Sequence, residues 1–374
     1  MAEDVCEVRV DLGSSSYSIW IGQGATGVLA RFLPERAWRK AAVLTDSNVG
    51  PLYAEPVLAQ LQAAGMDTVL LEVPAGEASK SERRAIEVID WLIAAGLNRS
   101  DVVVALGGGV VGDLAGFAAS IYKRGTDLVQ LPTTLMAQVD SSIGGKTAVN
   151  LPAAKNQIGT FHQPVAVVCD VAALSTLPVS EFTSGLAEVT KYSLITRQDW
   201  GAVFRADPAA VAGASPGMLA ALIADCGREK AALVSADARD RGVRHYLNYG
   251  HTLGHALEAA SAYDGTYSHG QAVSVGMVFA ALVSEASGVA AEGMARSHVG
   301  LLRALGLPVS PLGRAPAFDK LAGHIRLDKK SAGDLVMVLL EAEGRPVISR
   351  GLAESLLEKC YQRLLDEAAL PDED

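Results

Sequence analysis

An α/β domain with a parallel sheet, followed by a mainly α-helical domain, is the fold class this sequence predicts. Three observations predict it. In the first third of the chain, short apolar runs alternate with amphipathic stretches of helical period, as in strands joined by crossover helices. One of those runs leads straight into a glycine-rich turn, as in Rossmann-like nucleotide-binding sheets, although it is not the usual G-x-G-x-x-G form and follows about the fifth strand. Beyond about residue 175 the strand signal fades and helical periodicity takes over. At 374 residues the chain has room for two domains, and the expected division is 1–175 and 176–374.

Residues 6–12 and 17–21 read as a pair of strands. Residues 41–45 form the next strand, which ends in Thr45-Asp46-Ser47-Asn48. Pro51 then opens an amphipathic helix to about residue 64, because the first helical turn leaves the N–H that proline lacks unused. A strand over 68–73 and a helix over 82–95 follow. Residues 102–106 are apolar throughout, as in a strand covered on both faces, and 128–131 add a further strand. Sheets of this kind bind ligands at the carboxyl ends of their strands. In the second half, 181–194, 218–235, 251–261, 271–287 and 352–365 have helical period, and only 335–340 with 347–349 reads as a hairpin.

Hydrophobic residues make up 49% and charged residues 20%, the balance of a soluble globular protein. The most apolar long stretch, 272–284, is too short for a bilayer, which takes about 20 apolar residues. The acidic start Met-Ala-Glu-Asp-Val lacks the basic and apolar parts of a signal peptide, so a cytoplasmic protein is expected. Cys6, Cys169, Cys226 and Cys360 lie far apart and read as small buried hydrophobes in a reducing compartment. The formal charge of -10 argues against nucleic acid as a partner and leaves any anionic substrate to local cations.

Directly after the 102–106 strand comes Gly107-Gly-Gly-Val-Val-Gly-Asp113, then a helix. Glycines let the backbone approach a pyrophosphate, and a helix N-terminus offers unpaired N–H groups and partial positive charge. By itself such a turn equally serves tight strand-helix packing. Neighbouring strand ends add Asp46, which can accept from ribose hydroxyls, then Gly76-Glu77 with Lys80, and Thr133-Thr134, whose hydroxyls suit phosphate or ribose.

The second domain is organised around Asn248-Tyr-Gly-His-Thr-Leu-Gly-His255. His251 and His255 are four apart and share a helix face, which suits a divalent metal, or one ligand beside one proton carrier. With Glu188 in Gly185-Leu-Ala-Glu-Val-Thr-Lys191 and His269 in Ser-His-Gly-Gln-Ala-Val, the chain holds one carboxylate and two imidazoles, the ligand set of a catalytic zinc-like ion. Several cations fall inside motif-like stretches: Arg124, Lys146, Lys155, Lys191, Lys230, Arg244, Lys329 and Lys330. Any one of them alone reads as a surface charge; interleaved with metal ligands, the set looks like a clamp for a phosphorylated, carboxylated substrate. The metal stretch is expected across a cleft from the glycine-rich loops.

At this point the residues match a known family. Gly107-Gly-Gly-Val-Val-Gly-Asp113, Leu131-Pro-Thr-Thr134, Gln138-Val-Asp-Ser-Ser-Ile-Gly-Gly-Lys-Thr147, Lys155-Asn-Gln-Ile-Gly-Thr-Phe-His-Gln-Pro164, Thr176-Leu-Pro178, Gly185 to Tyr192, Leu247 to His255 and Asp328-Lys-Lys330 follow the order seen in the sugar phosphate cyclases. Over nearly its whole length the chain resembles the 3-dehydroquinate synthases among them. The resemblance implies that Glu188, His251 and His269 hold a zinc or cobalt ion. It implies that Asp46, Asn48, Gly76, Glu77, Lys80, Gly108, Gly109, Val110, Val111, Gly112, Asp113, Thr133, Thr134, Lys146, Lys155, Ala173, Leu174, Ser175 and Thr176 surround NAD. Asp140, Lys146, Lys155, Asn156, Lys191, Lys230, Arg244, Asn248, His255 and Lys329 or Lys330 would line the substrate pocket. Arg124 would reach into a neighbouring subunit's site, which implies a homodimer.

The implied reaction takes 3-deoxy-D-arabino-heptulosonate 7-phosphate to 3-dehydroquinate and phosphate by transient oxidation with NAD, phosphate elimination, re-reduction and intramolecular aldol closure. In it Arg124, Lys155, Asn156 and one of Lys329 and Lys330 are expected on the phosphate, Lys146 and Arg244 on the carboxylate and ring hydroxyls, and His255 as proton carrier. The chain departs from the family pattern at Ala75, Ser193 and Gln271, and in the run before Arg244; Gln271 follows a ligand by two residues and bears on metal affinity. Two other readings share much of the pattern: a cyclase for an aminated substrate, and a metal-dependent alcohol dehydrogenase.

Overall fold

A seven-stranded sheet forms the centre of the first half. The computed structural model describes residues 5–32, 36–151, 154–196, 200–328 and 335–367. Their contacts divide the chain into two compact units, Met1–Phe182 with Ser215–Arg239, and Thr183–Ala214 with Asp240–Asp374.

In the first unit the elements run β1 (Cys6–Val10), β2 (Tyr17–Gly22), α1 (Leu29–Phe32), β3 (Lys40–Asp46), α2 (Gly50–Ala63), β4 (Asp67–Val73), α3 (Glu82–Ala94), β5 (Val102–Gly107), α4 (Gly109–Ile121), β6 (Asp127–Pro132), β7 (Lys146–Leu151), β8 (Ala154–Phe161) and β9 (Ala166–Asp170). The sheet order is β1-β2-β9-β6-β5-β3-β4. β1 pairs antiparallel with β2, and every other neighbour in the sheet is parallel. The strand period of two sorts the apolar residues onto both faces. Ala42, Leu44, Val103 and Ala105 pack with Val88 and Leu92 of α3 and Leu114 and Phe117 of α4. Ala41, Val43, Val102 and Val104 face the other way, onto Val57 and Leu61 of α2. β5 is buried at every position, as its unbroken apolar run requires.

Two features were not read from the sequence. β9 lies between β2 and β6, and β7 and β8 form a separate hairpin that packs on α4. The hairpin's second strand, Ala-Lys-Asn-Gln-Ile-Gly-Thr-Phe, has little apolar alternation, which is why periodicity passes over it.

A further helix, α8 (Pro216–Ala236), belongs to the first unit although it follows the expected boundary at 175. Its apolar face packs on β1 and β2. Gly227 lies there without a side chain, and a Cβ on it would sit 3.7 Å from Ile21 Cδ1.

The second unit holds α5 (Val179–Ile195), whose first residues precede the division, α6 (Trp200–Ala206), α7 (Ala209–Ala212), α9 (His251–Ala260), α10 (His269–Ala286), α11 (Met294–Ala304), α12 (Phe318–Asp328), α13 (Glu354–Glu367) and a hairpin of β10 (Val336–Ala342) and β11 (Arg345–Arg350). α10 is its core, buried at fourteen positions from Gly270 to Ser284, and it packs against α9, α11 and α13. Among the described residues no helix is long and apolar enough to cross a membrane.

Candidate active site

Five of the predicted residues meet in the second unit. α5 is buried throughout from Ser184 to Ile195, so Glu188 is fully enclosed. Its Oε2 pairs with the Nζ of Lys191, one turn further along the helix. Its Oε1 faces two imidazoles, at 3.6 Å from His251 Nε2 and 3.6 Å from His269 Nε2. The rings of His251 and His269 are 5.3 Å apart at their centroids. His255 stands beside them, its ring 5.3 Å from that of His251 and 6.1 Å from that of His269.

The backbone makes this meeting possible through close approach. A Cβ on Gly270 would lie 1.9 Å from Ser184 O, and one on Gly276 would lie 1.8 Å from Gly250 O. No side-chain carbon occupies such space, so α10 comes nearer to α5 and α9 than any other residue would permit. His251 and His269 are the first residues of α9 and α10, and therefore sit where these helices converge on α5. Ser268 and Gln271 form a capping box that holds the turn carrying His269. Gln271, a departure from the family pattern, thus has its Oε1 engaged by Ser268 N at 2.9 Å.

Hydrogen bonds orient both rings. His251 Nδ1 lies 3.1 Å from Tyr249 O, and a carbonyl only accepts, so Nδ1 carries the proton and Nε2 turns a lone pair toward Glu188. His269 Nδ1 lies 3.3 Å from Glu258 Oε2, with the same consequence. Burial pushes His251 down to about 3, which keeps it neutral and able to ligate. Burial works against charge on His269 too, but hydrogen bonds to Glu188 and Glu258 outweigh it and raise the ring to about 10, so without an ion the ring favours a positive charge, and a bound ion would take the place of its Nε2 proton. The ligand atoms of Glu188, His251 and His269 all lie within 4.8 Å of one another. Bonds of about 2.0–2.2 Å to a tetrahedral ion put its ligands roughly 3.3–3.6 Å apart, so the three residues fit a zinc-like ion.

In the first unit the strand ends collect the other predicted residues. α4 begins at Gly109 after an N-cap at Gly108 that makes no side-chain cap, leaving its first N–H groups for an anion. Nearby on the loop after β6, Thr133 is 7% exposed and its Oγ1 is buried without a hydrogen-bond partner, while Thr134 Oγ1 accepts from Ala137 N at 3.1 Å. An uncapped helix start beside an unsatisfied hydroxyl fits a phosphate-bearing nucleotide. Asp46 Oδ1 accepts from Asn48 N at 2.9 Å and Val49 N at 3.0 Å, so one carboxylate oxygen shapes the turn into α2. Tyr53 of α2 bonds the Thr176 hydroxyl at 2.6 Å, tying down the turn that carries Ala173, Leu174 and Ser175.

Lys80 pairs with Asp113 on α4, and burial raises the Asp113 carboxyl against the pull of that ammonium. Glu77 Oε1 accepts from Asn150 Nδ2 at 2.7 Å and lies 3.4 Å from Lys155 Nζ. Lys230, on α8, donates to Asp140 O at 2.6 Å and Asp140 Oδ1 at 2.7 Å. Arg124 and Lys146 are exposed, and Asn156 has a left-handed backbone with φ 55°. In the second unit Arg244 is 2% exposed and shares the turn Val243–Asn248 with half-buried Asn248, immediately before α9. Lys329 and Lys330 lie outside the described residues. Sequence reasoning missed Glu258 and Tyr249. Glu258 was there to find, three residues after His255 and seven after His251 on one helix face.

Comparison with known proteins identifies the family. A family model described as 3-dehydroquinate synthase N-terminal matches residues 70–184, and one described as 3-dehydroquinate synthase C-terminal matches 185–331. The chain is 44% identical to the 3-dehydroquinate synthase of Sinorhizobium medicae over 355 residues, 93% of each chain. It is 45% identical to that of Symbiobacterium thermophilum over 347 residues, 91% of this chain and 95% of the relative. Among solved structures it is similar to 2-deoxy-scyllo-inosose synthase complexed with carbaglucose-6-phosphate, NAD+ and Co2+, with a TM-score of 0.87 and 26% identity over 96% of this chain and 100% of the other. It is also similar to the 2-epi-5-epi-valiolone synthase of Streptomyces hygroscopicus with NAD+ and Zn2+ bound, with a TM-score of 0.84 and 26% identity over 96% and 99%. A protein of Sinorhizobium meliloti described as a probable glycerol dehydrogenase shares the fold, with a TM-score of 0.64 at 16% identity and coverage of 92% and 95%. On these matches, the chain belongs to the 3-dehydroquinate synthase family.

Proposed function

We propose that this chain converts 3-deoxy-D-arabino-heptulosonate 7-phosphate to 3-dehydroquinate and phosphate, a carbon-oxygen lyase step of the shikimate route to aromatic amino acids. NAD and a divalent zinc or cobalt ion are its cofactors, as in the two solved relatives that hold them. The observation that carries this reading is the convergence of His251 Nε2 and His269 Nε2 on Glu188 Oε1, each at 3.6 Å. Residues 1–175 carry the NAD site and 176–374 the metal and most of the substrate site.

When bound, NAD takes up and returns a hydride while the ion lowers the pKa of a substrate hydroxyl. The chain's own residues do the rest. Lys191 balances the enclosed carboxylate of Glu188, and His251 is held neutral by burial, so the ligand set stays ready. His255, on the same face of α9 as His251, moves protons to and from substrate oxygen. Arg244, with its charge fixed at every working pH, and Lys146 grip the substrate carboxylate and hydroxyls. Lys155, Asn156 and Arg124 take the phosphate, with Lys329 or Lys330. Lys230 and Asp140 orient one another and the ring, and Asn248 adds a hydrogen bond. Arg124 follows Lys123 in a left-handed turn, with φ 66° and 47°, which presents it outward. That display supports a homodimer in which it enters the neighbouring subunit's site.

The test is phosphate release from the heptulosonate phosphate by metal-loaded, NAD-supplemented protein. Release that a chelator stops, with no net NADH absorbance, is expected. No release would remove the proposal, and NADH accumulating in proportion to substrate would identify an alcohol dehydrogenase instead.

A further inference from the structure

His251 and His269 reach the same carboxylate oxygen, but different groups hold them. Behind His251 stands a main-chain carbonyl, Tyr249 O, fixed by the turn before α9. Behind His269 stands a side chain, Glu258 Oε2, at 3.3 Å from Nδ1. Glu258 lies on α9 in register with His251 and His255, and its side chain is 12% exposed, against 37% for His269. An ionised carboxylate only accepts hydrogen bonds. A pair between it and Nδ1 therefore requires the proton on Nδ1 and turns the Nε2 lone pair toward Glu188. Without that acceptor the neutral ring can place its proton on either nitrogen, and one of the two tautomers points N–H where a lone pair is needed.

We propose that Glu258 is a positioning residue for the metal centre, fixing the tautomer and direction of His269 so that Nε2 ligates the ion. The assignment rests on the reading of Glu188, His251 and His269 as the ligands. Charge supports it as well as geometry. Glu258 places a carboxylate behind a ligating imidazole, and such a partner strengthens the imidazole's basicity. A second cluster stands beside the first, because His255, Glu258 and His269 also bring ligand atoms within 4.8 Å of one another. In that arrangement Glu258 would bind an ion itself rather than orient a ligand, and stoichiometry separates the two.

The experiment strips the full chain with chelator and titrates Zn2+ against a competing indicator for wild type, Glu258→Ala, Glu258→Gln and His269→Ala, with Co2+ absorption spectra alongside. Glu258→Ala is expected to bind one ion per chain with about 10- to 100-fold lower affinity. Its Co2+ spectrum should be altered, because a less basic, less fixed imidazole changes the ligand field. Glu258→Gln keeps an acceptor oxygen and should recover part of the affinity, a rescue that a merely space-filling role would not tie to the acceptor. If Glu258→Ala does not fold, Glu258→Gln carries the test through a partial loss of affinity and an intermediate spectrum. Wild-type affinity and spectrum in both Glu258 variants, with affinity lost in His269→Ala, would overturn the proposal alone. So would two ions per wild-type chain falling to one in Glu258→Ala. Wild-type affinity in His269→Ala would instead overturn the ligand assignment beneath it.

Discussion

Lys191→Met should weaken the metal-free protein far more than loss of a surface charge, and zinc should restore much of the loss. The side chains of Lys191 and Glu188 are 1% and 0% exposed. An exposed pair contributes about 0.2–1 kcal/mol, but removing one partner of a buried pair strands a charge away from water and costs about 3–5 kcal/mol. Methionine fills similar space, so packing changes little and the loss is electrostatic. At roughly 2–4 °C per kcal/mol, the midpoint falls on the order of 10 °C. The assay is thermal or urea unfolding of wild type and variant, each in excess chelator and in saturating zinc. A divalent ion at Glu188 Oε1 supplies the missing positive charge and no longer competes with an ammonium, so the variant should gain more from zinc than the wild type does. A loss below about 1 kcal/mol in chelator would show that the pair is effectively solvated. An equal loss with and without zinc would show that Glu188 does not meet the ion.

Three further outcomes are expected. His269→Ala should abolish metal-dependent turnover while NAD binding, measured by titration calorimetry, persists; unchanged turnover would mean the ring is no ligand. Tyr249→Phe should cost about 1–3 kcal/mol in urea melts, because its hydroxyl lies 3.0 Å from Nε2 of the fully buried His298, which would be left without that partner. Burial pushes His298 down to about 4, below the unfolded value of about 6.5, so the folded state binds fewer protons between those values. Its contribution is therefore present above pH 6.5 and is lost as pH falls toward 4. His298→Gln should flatten the stability profile of the wild type by up to about 1.4 kcal/mol per pH unit within that window, and parallel profiles would refute the assignment.

The sheet was legible where one physical rule acted alone. The unbroken apolar runs of β5 and β3 follow directly from burial on both faces. β8 was not legible because its polar residues reach the hairpin partner and the β4 loop, as in the pairing of Lys155 with Glu77, instead of filling a core. Helical period identified α8, but period cannot say which surface a helix covers. Only the folded chain reveals Ile19 and Ile21 beneath Gly227. In the candidate metal site, spacing exposed the pair His251 and His255, whereas Glu188 and His269 are distant in the chain and emerged from motif company. The glycines at 270 and 276, which let α10 approach its neighbours, carry no periodic signal at all.

Anomalous scattering from crystals of the zinc-loaded protein tests the central claim most directly. The account predicts one peak per chain, about 2.0–2.2 Å from Glu188 Oε1, His251 Nε2 and His269 Nε2. A peak held by other residues, or none at these three atoms in protein that turns over substrate, would contradict it.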